Sequence, residues 1–438
     1  MLETVKAYIP KPLLQAYHYV LVRLAAVWFG QPSNRLIVIG VTGTKGKTTT
    51  AYFIAKALEA TGAKVGCTTT ALFKVADREW INATKMTMRG RFALQRMLKE
   101  MVTAGCRYAV IETSSQGLDQ YRHVGVNYDV AVLTNLTPEH IEAHGGFENY
   151  KAAKKKLFTH LARCPKKNFD GRPVDKTAIL NADSQYAEEF AAASAGARVE
   201  WFGREQARGL FATDVARTDW GSRFHADGVD VELHLPGEQN IENALAALAV
   251  CQALNLSLPK AAAGLASIDK LPGRFERIDA GQPWIVIVDY AHEPESVSRL
   301  YQTVANIPHQ RLIHVFGSSG GGRDVARRAV LGQIAGQHAD IMIVTDEDPH
   351  DENPLAIMEA IARAARLEGK REGDTLFLIP DRQKAIEHAM RLARPGDLVM
   401  LTGKGSETSI SAAHGKKIPW NEAQAATGAI KTIQSPKP

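Results

Sequence analysis

Cysteine is scarce in this 438-residue chain: Cys67, Cys106, Cys164 and Cys251 form no CxxC pair and have no histidine at a zinc-like spacing. That excludes a disulfide framework and a metal knuckle, and sets a reducing cytosol as the expected compartment. Aromatic residues make up only 7% and no basic stripe interleaves with them, which argues against a nucleic-acid partner. Neither sign of charge is in large excess. The balance of 53 basic and 47 acidic residues leaves +6, which suits an anionic small molecule as well as nucleic acid and selects neither. There is no internal repeat and no low-complexity tract. No uncharged run reaches the ~20 apolar residues that span a bilayer, because Arg23 interrupts the most apolar stretch. No A-x-A-like site follows it, so no secretory signal is expected.

What is present is an ordinary globular composition, 45% hydrophobic and 23% charged. It excludes wholesale disorder and, at ~150 residues per domain, implies two or three domains. In the leader, Leu14, Tyr17, Leu21, Leu24 and Trp28 recur at three- and four-residue intervals, as in an amphipathic helix. Docking on the first domain is the preferred reading, since helices apolar all round are usually buried. A helix lying on a membrane surface is the alternative. Arg35–Val41 reads as a buried strand, followed by a Gly-rich turn and a helix from Thr48 to about Ala60. Further strands are expected at Tyr108–Glu112, Tyr128–Thr134 and Thr177–Asn181, with an antiparallel excursion over Phe211–Leu235 and a helix over Asn240–Asn255. Leu271-Pro-Gly-Arg-Phe275 breaks the chain. A second α/β series follows, with strands near Trp284–Asp289, Leu312–Phe316, Ile341–Thr345, Leu376–Ile379 and Leu398–Leu401. The tail from Ala425 has few large apolar residues and reads as loosely held. The expected division is a leader over 1–34, a central domain over 35–271 and a C-terminal domain over 272–438.

The turn Gly40-Val-Thr-Gly-Thr-Lys-Gly-Lys-Thr-Thr-Thr50 joins that first strand to that first helix. Gly43 and Gly46 let backbone N–H groups face phosphate oxygens, and the helix start adds a positive dipole end. Lys47 supplies a point charge and Thr48 a hydroxyl for Mg²⁺, with Thr44 and Thr49 alongside. Val41 stands where the strict GxxxxGK[ST] pattern has its first glycine, so the form is the shorter G-T-x-G-K-T-T. Taken alone, the loop specifies a nucleoside triphosphate and no more.

Downstream come Glu112-Thr-Ser-Ser-Gln-Gly-Leu-Asp-Gln120, Thr134-Asn-Leu-Thr-Pro-Glu-His140, Tyr150-Lys-Ala-Ala-Lys-Lys-Lys-Leu-Phe158, Asn240-Ile-Glu-Asn243, Pro272-Gly-Arg274 and Asp289-Tyr-Ala-His292. As an ordered set with the loop, these resemble the Mur ligase family of ATP-dependent amide-forming enzymes, and most closely its tripeptide-synthetase branch. The resemblance runs from about Arg35 to Glu407. It implies a P-loop ATPase central domain, mainly parallel, and a Rossmann-like α/β C-terminal domain. It also implies ATP and Mg²⁺ as cofactors, and a monomeric, cytoplasmic enzyme that activates a carboxylate as an acyl phosphate before an amine attacks. Catalysis would then rest on positioning and electrostatic stabilisation.

The resemblance implies Lys47, Glu112, His140 and Lys154 as the catalytic set, with Thr48, Glu112, His140 and a carbamylated Lys154 at metal. From the residues alone, Lys154 is one of several lysines on what reads as a solvated basic helix face. Asn240 and Asn243 match residues at the nucleotide base, with helix capping as the competing reading. Arg274 and Asp289 match further nucleotide contacts. Thr87, Ser114, Gln120 and Arg122 match positions that contact the muramoyl-peptide, although Met88 and Gln116 depart from the usual Thr and His. Arg323, Glu347, His350, Gly403 and Glu407 match the amino-acid site. His350 replaces the arginine of diaminopimelate-adding members and Ser406 replaces a histidine, so lysine or another diamino acid is open. The acidic loop Asp346, Glu347, Asp348, Asp351 and Glu352 either attracts an ammonium group or is simply solvated.

Only about 34 residues precede the first strand, too few for the UDP-binding domain found there in the family. Another protein would supply that function, or the substrate would be held differently, for instance as a lipid-linked muramoyl-peptide near a membrane. The alternative acceptors are a folylpolyglutamate or a storage polypeptide. From another class comes a nucleotide-binding regulator that no longer ligates.

Overall fold

The computed structural model describes residues 11–137, 144–218, 220–322 and 325–434. The chain forms two compact units, one running through His234 and resuming over Glu238–Asp269, the other made of Leu235–Gly237 and the chain from Lys270 onward.

In the first unit the strands are β1 (Ile37–Thr42), β2 (Val65–Thr68), β3 (Leu72–Val75), β4 (Arg78–Ile81), β5 (Tyr108–Glu112) and β6 (Val130–Leu133), the β7–β8 hairpin (Lys167–Phe169, Arg172–Val174), then β9 (Thr177–Asn181), β10 (Arg198–Gly203) and β11 (Leu210–Phe211). All but the hairpin build one nine-stranded sheet in the order β11-β10-β9-β6-β1-β5-β2-β3-β4. It is parallel from β11 to β2 and antiparallel at the β3–β4 edge. β1, β5, β6 and β9 are buried along their whole lengths, which is why they read as unbroken apolar runs rather than alternating ones. The helices that matter below are α1 (Lys11–Trp28), α2 (Lys47–Ala60), α3 (Arg91–Thr103), α4 (Phe147–Arg163) and α5 (Gln239–Ala253). The antiparallel excursion is a three-stranded sheet of β12 (Thr213–Thr218), β13 (Gly221–Ala226) and β14 (Val229–Leu233). Leu210–Phe211, at its expected start, belongs to the parallel sheet instead.

At the amino edge of the large sheet Asp129 is fully buried. It accepts from Val38 N at 2.8 Å, from Lys176 Nζ at 2.8 Å and from Lys167 Nζ. The two lysines also donate to the carbonyls of Leu36, Asn127 and Tyr128. A buried carboxylate needs such saturation, and here it aligns the starts of β1, β6 and β9.

The second unit holds a six-stranded sheet, β15 (Glu276–Arg277), β16 (Ile285–Asp289), β17 (Leu312–Phe316), β18 (Ile341–Val344), β19 (Leu376–Leu378) and β20 (Leu398–Thr402), in the order β15-β16-β20-β17-β18-β19. Only the β15 pairing is antiparallel.

Two expectations are corrected. The tail from Ala425 is not loosely held: it lies in the helix Glu422–Gln434, whose Ala426, Ala429 and Ile430 are buried in the second core. Glu422 anchors it through a buried ion pair with Arg382 at 2.6 Å. Small side chains misled the reading, because alanines allow close helix packing with little bulk. In the leader, α1 does pack on the first unit, but through Val22, Ala25 and Ala26. Tyr17, Leu24 and Trp28 of the expected stripe are exposed.

His123 and His160 lie edge to face beneath α1, with ring centroids 5.1 Å apart. Burial holds both below the usual histidine range, His123 far below; His160 and Lys156 add to this at His123, and Lys176, Arg23 and Arg163 at His160. As pH falls through ~6.5 the unfolded chain takes up protons that the folded chain refuses. The stability of the neutral pair is therefore present above that pH and is lost below it. The unfolding free energy from urea titration should fall between pH 7.5 and 5.5, by up to ~1.4 kcal/mol per histidine per pH unit, and the fall should shrink in His123→Phe.

Candidate functional site

β1 pairs with β5 through Val41–Glu112 and with β6 through Thr42–Leu133. The segments that leave these strands therefore emerge side by side at the carboxyl edge, where open α/β sheets place ligand sites. The segment 43–47 turns through Gly43 and Gly46, with φ of 150° and 77°. A Cβ at Gly43 would lie 1.9 Å from Thr134 Oγ1, and one at Gly46 2.5 Å from Asn243 Oδ1. The loop is tied down by Thr44 N to Asn135 O at 3.0 Å, Lys45 N to Asn135 Oδ1 at 2.8 Å and Thr134 Oγ1 to Lys45 O at 2.7 Å. Gly46 is the cap residue of α2 and brings no side chain to its first turn, a helix start suited to an anion. Lys47 Nζ curls back onto Thr44 O at 2.7 Å.

Glu112 is buried at the end of β5. Its Oε2 accepts from Thr48 Oγ1 at 2.9 Å and from Thr70 N at 2.6 Å. Its Oε1 accepts from Thr70 Oγ1 at 3.0 Å. The Thr87 hydroxyl is 2.9 Å from Thr70 Oγ1. A hydroxyl has one proton, so with Thr70 donating to Glu112, Thr87 donates to Thr70. One carboxylate thus links the phosphate loop to the segment carrying Thr87.

The structure separates the lysines of α4. Lys151 pairs with Glu148 and Glu189, Lys155 with Glu189 and Lys156 with Asp119. Lys154 turns inward and is buried. Its Nζ is 2.6 Å from Gly43 O and 4.3 Å from the centre of the Tyr150 ring, and Tyr150 Oη donates to Thr44 Oγ1 at 3.2 Å. Lys154 therefore lies against the phosphate loop, not on a solvated face.

Among the expected acceptor contacts, Arg122 donates to Gln120 Oε1 at 2.6 Å and to Met88 O, next to Thr87. Ser114 caps the short helix Ser115–Asp119 by accepting from Gly117 N at 3.2 Å. Asn240 and Asn243 do not cap α5, which starts at Gln239 with Glu238 as its cap residue. Asn243 accepts from Thr50 Oγ1 at 2.8 Å and donates to Asn240 Oδ1 at 3.0 Å, fastening α5 to α2. His140 and Arg323 lie outside the described residues.

The second unit gathers its own set at the carboxyl ends of β16, β18 and β20. Both oxygens of Asp289 accept backbone N–H groups, Phe275 at 2.7 Å and Ala291 at 2.7 Å. Burial raises its carboxyl above the usual range, partly offset by Arg274 and these two bonds. The Arg274 guanidinium lies 4.5 Å from the centre of the Tyr290 ring, and Tyr290 Oη donates to Glu407 Oε1 at 3.4 Å. Fully buried Lys404 donates to Glu407 and to Asp348 Oδ1 at 3.0 Å. Glu347 is buried; its Oε1 accepts from Ser319 Oγ at 2.8 Å, while its Oε2 has no hydrogen-bond partner among the described residues. A Cβ at Gly403, where φ is 98°, would lie 2.6 Å from that oxygen. His350, at φ 51°, gives its N–H to Ser411 O at 3.0 Å.

The acidic loop is thus not simply solvated. Asp348 also accepts from Ser411 N, Asp351 accepts from His414 N, and Glu352 takes Gly322 N and Arg328. The residues that sequence reasoning missed are Thr70, Tyr150, Ser319 and Lys404. Lys404, Tyr150 and Ser319 sit inside segments that carry the resemblance, Ser319 in the glycine-rich stretch 317–324 that leads to Arg323, whereas Thr70 carries no local signal.

Residues 41–251 match the Mur ligase middle domain, and residues 273–405 the Mur ligase glutamate ligase domain. A UDP-N-acetylmuramyl-tripeptide synthetase of Roseiflexus sp. (strain RS-1) is 41% identical over 97% of this chain and 85% of its own length. A UDP-N-acetylmuramoyl-L-alanyl-D-glutamate--2,6-diaminopimelate ligase of Geobacillus kaustophilus (strain HTA426) is 38% identical over 91% of this chain and 80% of its own. Among solved structures, a folylpolyglutamate synthase of Mycobacterium tuberculosis with ADP and AMPPCP superposes with a TM-score of 0.68 at 20% identity, covering 96% of both chains, which shows a shared fold.

The loop geometry makes one discriminating expectation. Gly46→Ala adds both left-handed strain and a clash with Asn243, whereas Gly62→Ala, at φ 96° with nothing within 4 Å, adds strain alone. Gly62→Ala should cost ~1–2 kcal/mol of stability and leave ATP affinity unchanged, as read by thermal melting and calorimetric titration. Gly46→Ala should weaken ATP binding by roughly ten-fold or more, about 1.4 kcal/mol.

Proposed function

The chain belongs to the Mur ligase family of ATP-dependent amide-bond ligases, and we propose that it adds an amino acid bearing a second amino group to a muramoyl-peptide, acting as a cytoplasmic monomer. The observation that carries the reading is the set built on Glu112 and Lys154 around the phosphate loop. Thr48 and Glu112 meet at 2.9 Å beside the start of α2, and Lys154 lies 2.6 Å from the loop carbonyl of Gly43. A hydroxyl and a carboxylate are hard oxygen donors of the type Mg²⁺ takes, so Thr48 and Glu112 would hold one ion. Carbamylated Lys154, with His140, would hold a second. When bound, the ions neutralise phosphate charge.

In this reading the loop N–H groups and Lys47 hold the triphosphate. Gln120, Arg122, Ser114 and Thr87 orient the acceptor so that its carboxylate oxygen attacks the γ-phosphorus, with ADP leaving. The incoming amine then attacks the acyl carbon and phosphate departs. Arg274 and Asp289 would contribute to nucleotide binding, and Asn240 and Asn243 would shape the base end.

The second amino group is inferred from charge. A buried carboxylate with an open oxygen requires a cation or a strong donor, and Glu347 has an oxygen without a hydrogen-bond partner among the described residues. Asp348 and Glu407 flank it and share one cation, Lys404. Glu347 and Glu407, with His350, Arg323 and the close-approach position Gly403, would form the amino-acid site.

The test is phosphate release with UDP-linked and lipid-linked muramoyl-peptides against a panel of amino acids, with products identified by mass. Release should require acceptor and amino acid together, and lysine-type diamino acids should be preferred. Release indifferent to both would remove the ligase reading. Glu347→Gln should lower kcat/KM for the diamino acid roughly ten-fold, about 1.4 kcal/mol, with KM for ATP unchanged. Lys154→Ala should be inactive yet folded, and partly rescued by short carboxylic acids; full activity would exclude the carbamate.

A further inference from the structure

α1 is apolar on two opposite faces, and the fold covers only one. Val22, Ala25 and Ala26 are buried, and the seat is close: a Cβ at Gly125 would lie 2.7 Å from Val22 Cγ1. Leu13, Tyr17, Val20, Leu24 and Val27 follow one another at spacings of four, three, four and three, with Trp28 at the margin. At ~100° per residue they form one stripe centred opposite the buried face. They are exposed by 63%, 55%, 53%, 56% and 64%, and Trp28 by 80%. A contiguous apolar patch of this kind marks an interaction surface.

The charge pattern selects the occupant. From Thr4 to Leu58 there is no aspartate or glutamate, while Lys6 precedes the helix, Lys11 and Arg23 lie within it and Arg35 follows it. Arg23, flanking the stripe, and Arg35 are exposed. An apolar groove on another protein would tolerate acidic neighbours as readily as basic ones. An anionic lipid surface would not. Trp28 and Tyr17 are the side chains that sit at headgroup level. Among the described residues no helix is long and apolar enough to cross a membrane, so the helix would lie in the interface plane.

We propose that α1 docks this protein on anionic bilayer surfaces, with Leu13, Tyr17, Val20, Leu24, Val27 and Trp28 in the acyl boundary and Arg23 and Arg35 among the headgroup phosphates. The same helix touches the acceptor end of the first unit. Tyr19 lies 6.4 Å from Tyr121, ring centre to ring centre, and His18 bonds Arg91; Tyr121 sits between Gln120 and Arg122. A bilayer under the stripe therefore stays near the residues assigned above to the acceptor. The docking itself does not depend on the reaction.

The test is flotation of the full chain with phosphatidylcholine vesicles, with and without phosphatidylglycerol. Recovery with the anionic vesicles should be roughly ten-fold higher and should fall at high salt. Leu24→Glu/Val27→Glu should abolish it and Arg23→Glu should weaken it, both with unchanged thermal midpoints, since none of these side chains is buried. Wild-type protein that stays in the soluble fraction with both vesicles overturns the proposal, as does flotation that survives the double substitution. A dimer in sedimentation equilibrium that the double substitution splits, without vesicle binding, assigns the stripe to a second copy and also overturns it.

Discussion

A buried carboxylate is tolerated only when its oxygens are saturated, and at Glu112 that requirement organises the chemistry of the first unit. Its three donors come from two separate stretches: Thr48 from the first turn after the phosphate loop, and the backbone and hydroxyl of Thr70 from the connection between β2 and β3. Thr70 then passes the constraint to Thr87. Three hydrogen bonds in series therefore join the first turn after the loop to the segment carrying Thr87. In the proposed reading the same carboxylate would link the nucleotide end to the acceptor end.

The parts of this arrangement legible in the sequence are those encoded by near neighbours. β5 and β9 fall where the apolar runs of Tyr108–Glu112 and Thr177–Asn181 place them, because fully buried parallel strands leave an unbroken signature. The phosphate loop was legible because glycine spacing, strand and helix start are contiguous. Thr70 was not, since its partner Glu112 is 42 residues away and nothing around it is distinctive. Lys154 stood between these cases. Its composition reads as a basic face, and only α4 packing, which sends Lys151, Lys155 and Lys156 to carboxylates and turns Lys154 toward Gly43, separates it from them. The leader misled for a related reason: periodicity identified α1 but cannot say which of two apolar faces is covered.

In the second unit the departures from the family pattern become intelligible once charges are paired. Lys404 is fully buried between Asp348 and Glu407, so one cation is shared by two acids of the motif. Arg382 pairs with Glu422 and also lies within electrostatic reach of Glu347 and Asp348. Glu347 has one oxygen on Ser319 and one with no hydrogen-bond partner among the described residues. The glycine at 403 keeps the chain close to that oxygen without a side chain to cover it. Histidine at 350 lacks the permanent charge and planar fork of arginine, so in the proposed amino-acid site a distal carboxylate would find less to hold it than a distal ammonium.

The large sheet separates stability from chemistry along its strands. At the amino edge, Asp129 aligns β1, β6 and β9 through Val38 N, Lys167 and Lys176, all in a buried cluster. At the carboxyl edge, Glu112, Lys154 and Asn135 carry loops whose partners are hydroxyls, carbonyls and peptide N–H groups. The amino-edge cluster is an ionic set whose parts are all present in the chain, so it gains nothing from a ligand. The carboxyl-edge set combines a cap residue without a side chain, a carboxylate with hydroxyl partners and a lysine held by a carbonyl and a ring. In the proposed reading, nucleotide phosphates and a cation would meet this set. Strands no longer than six residues thus carry the ionic cluster at one end and the phosphate loop at the other.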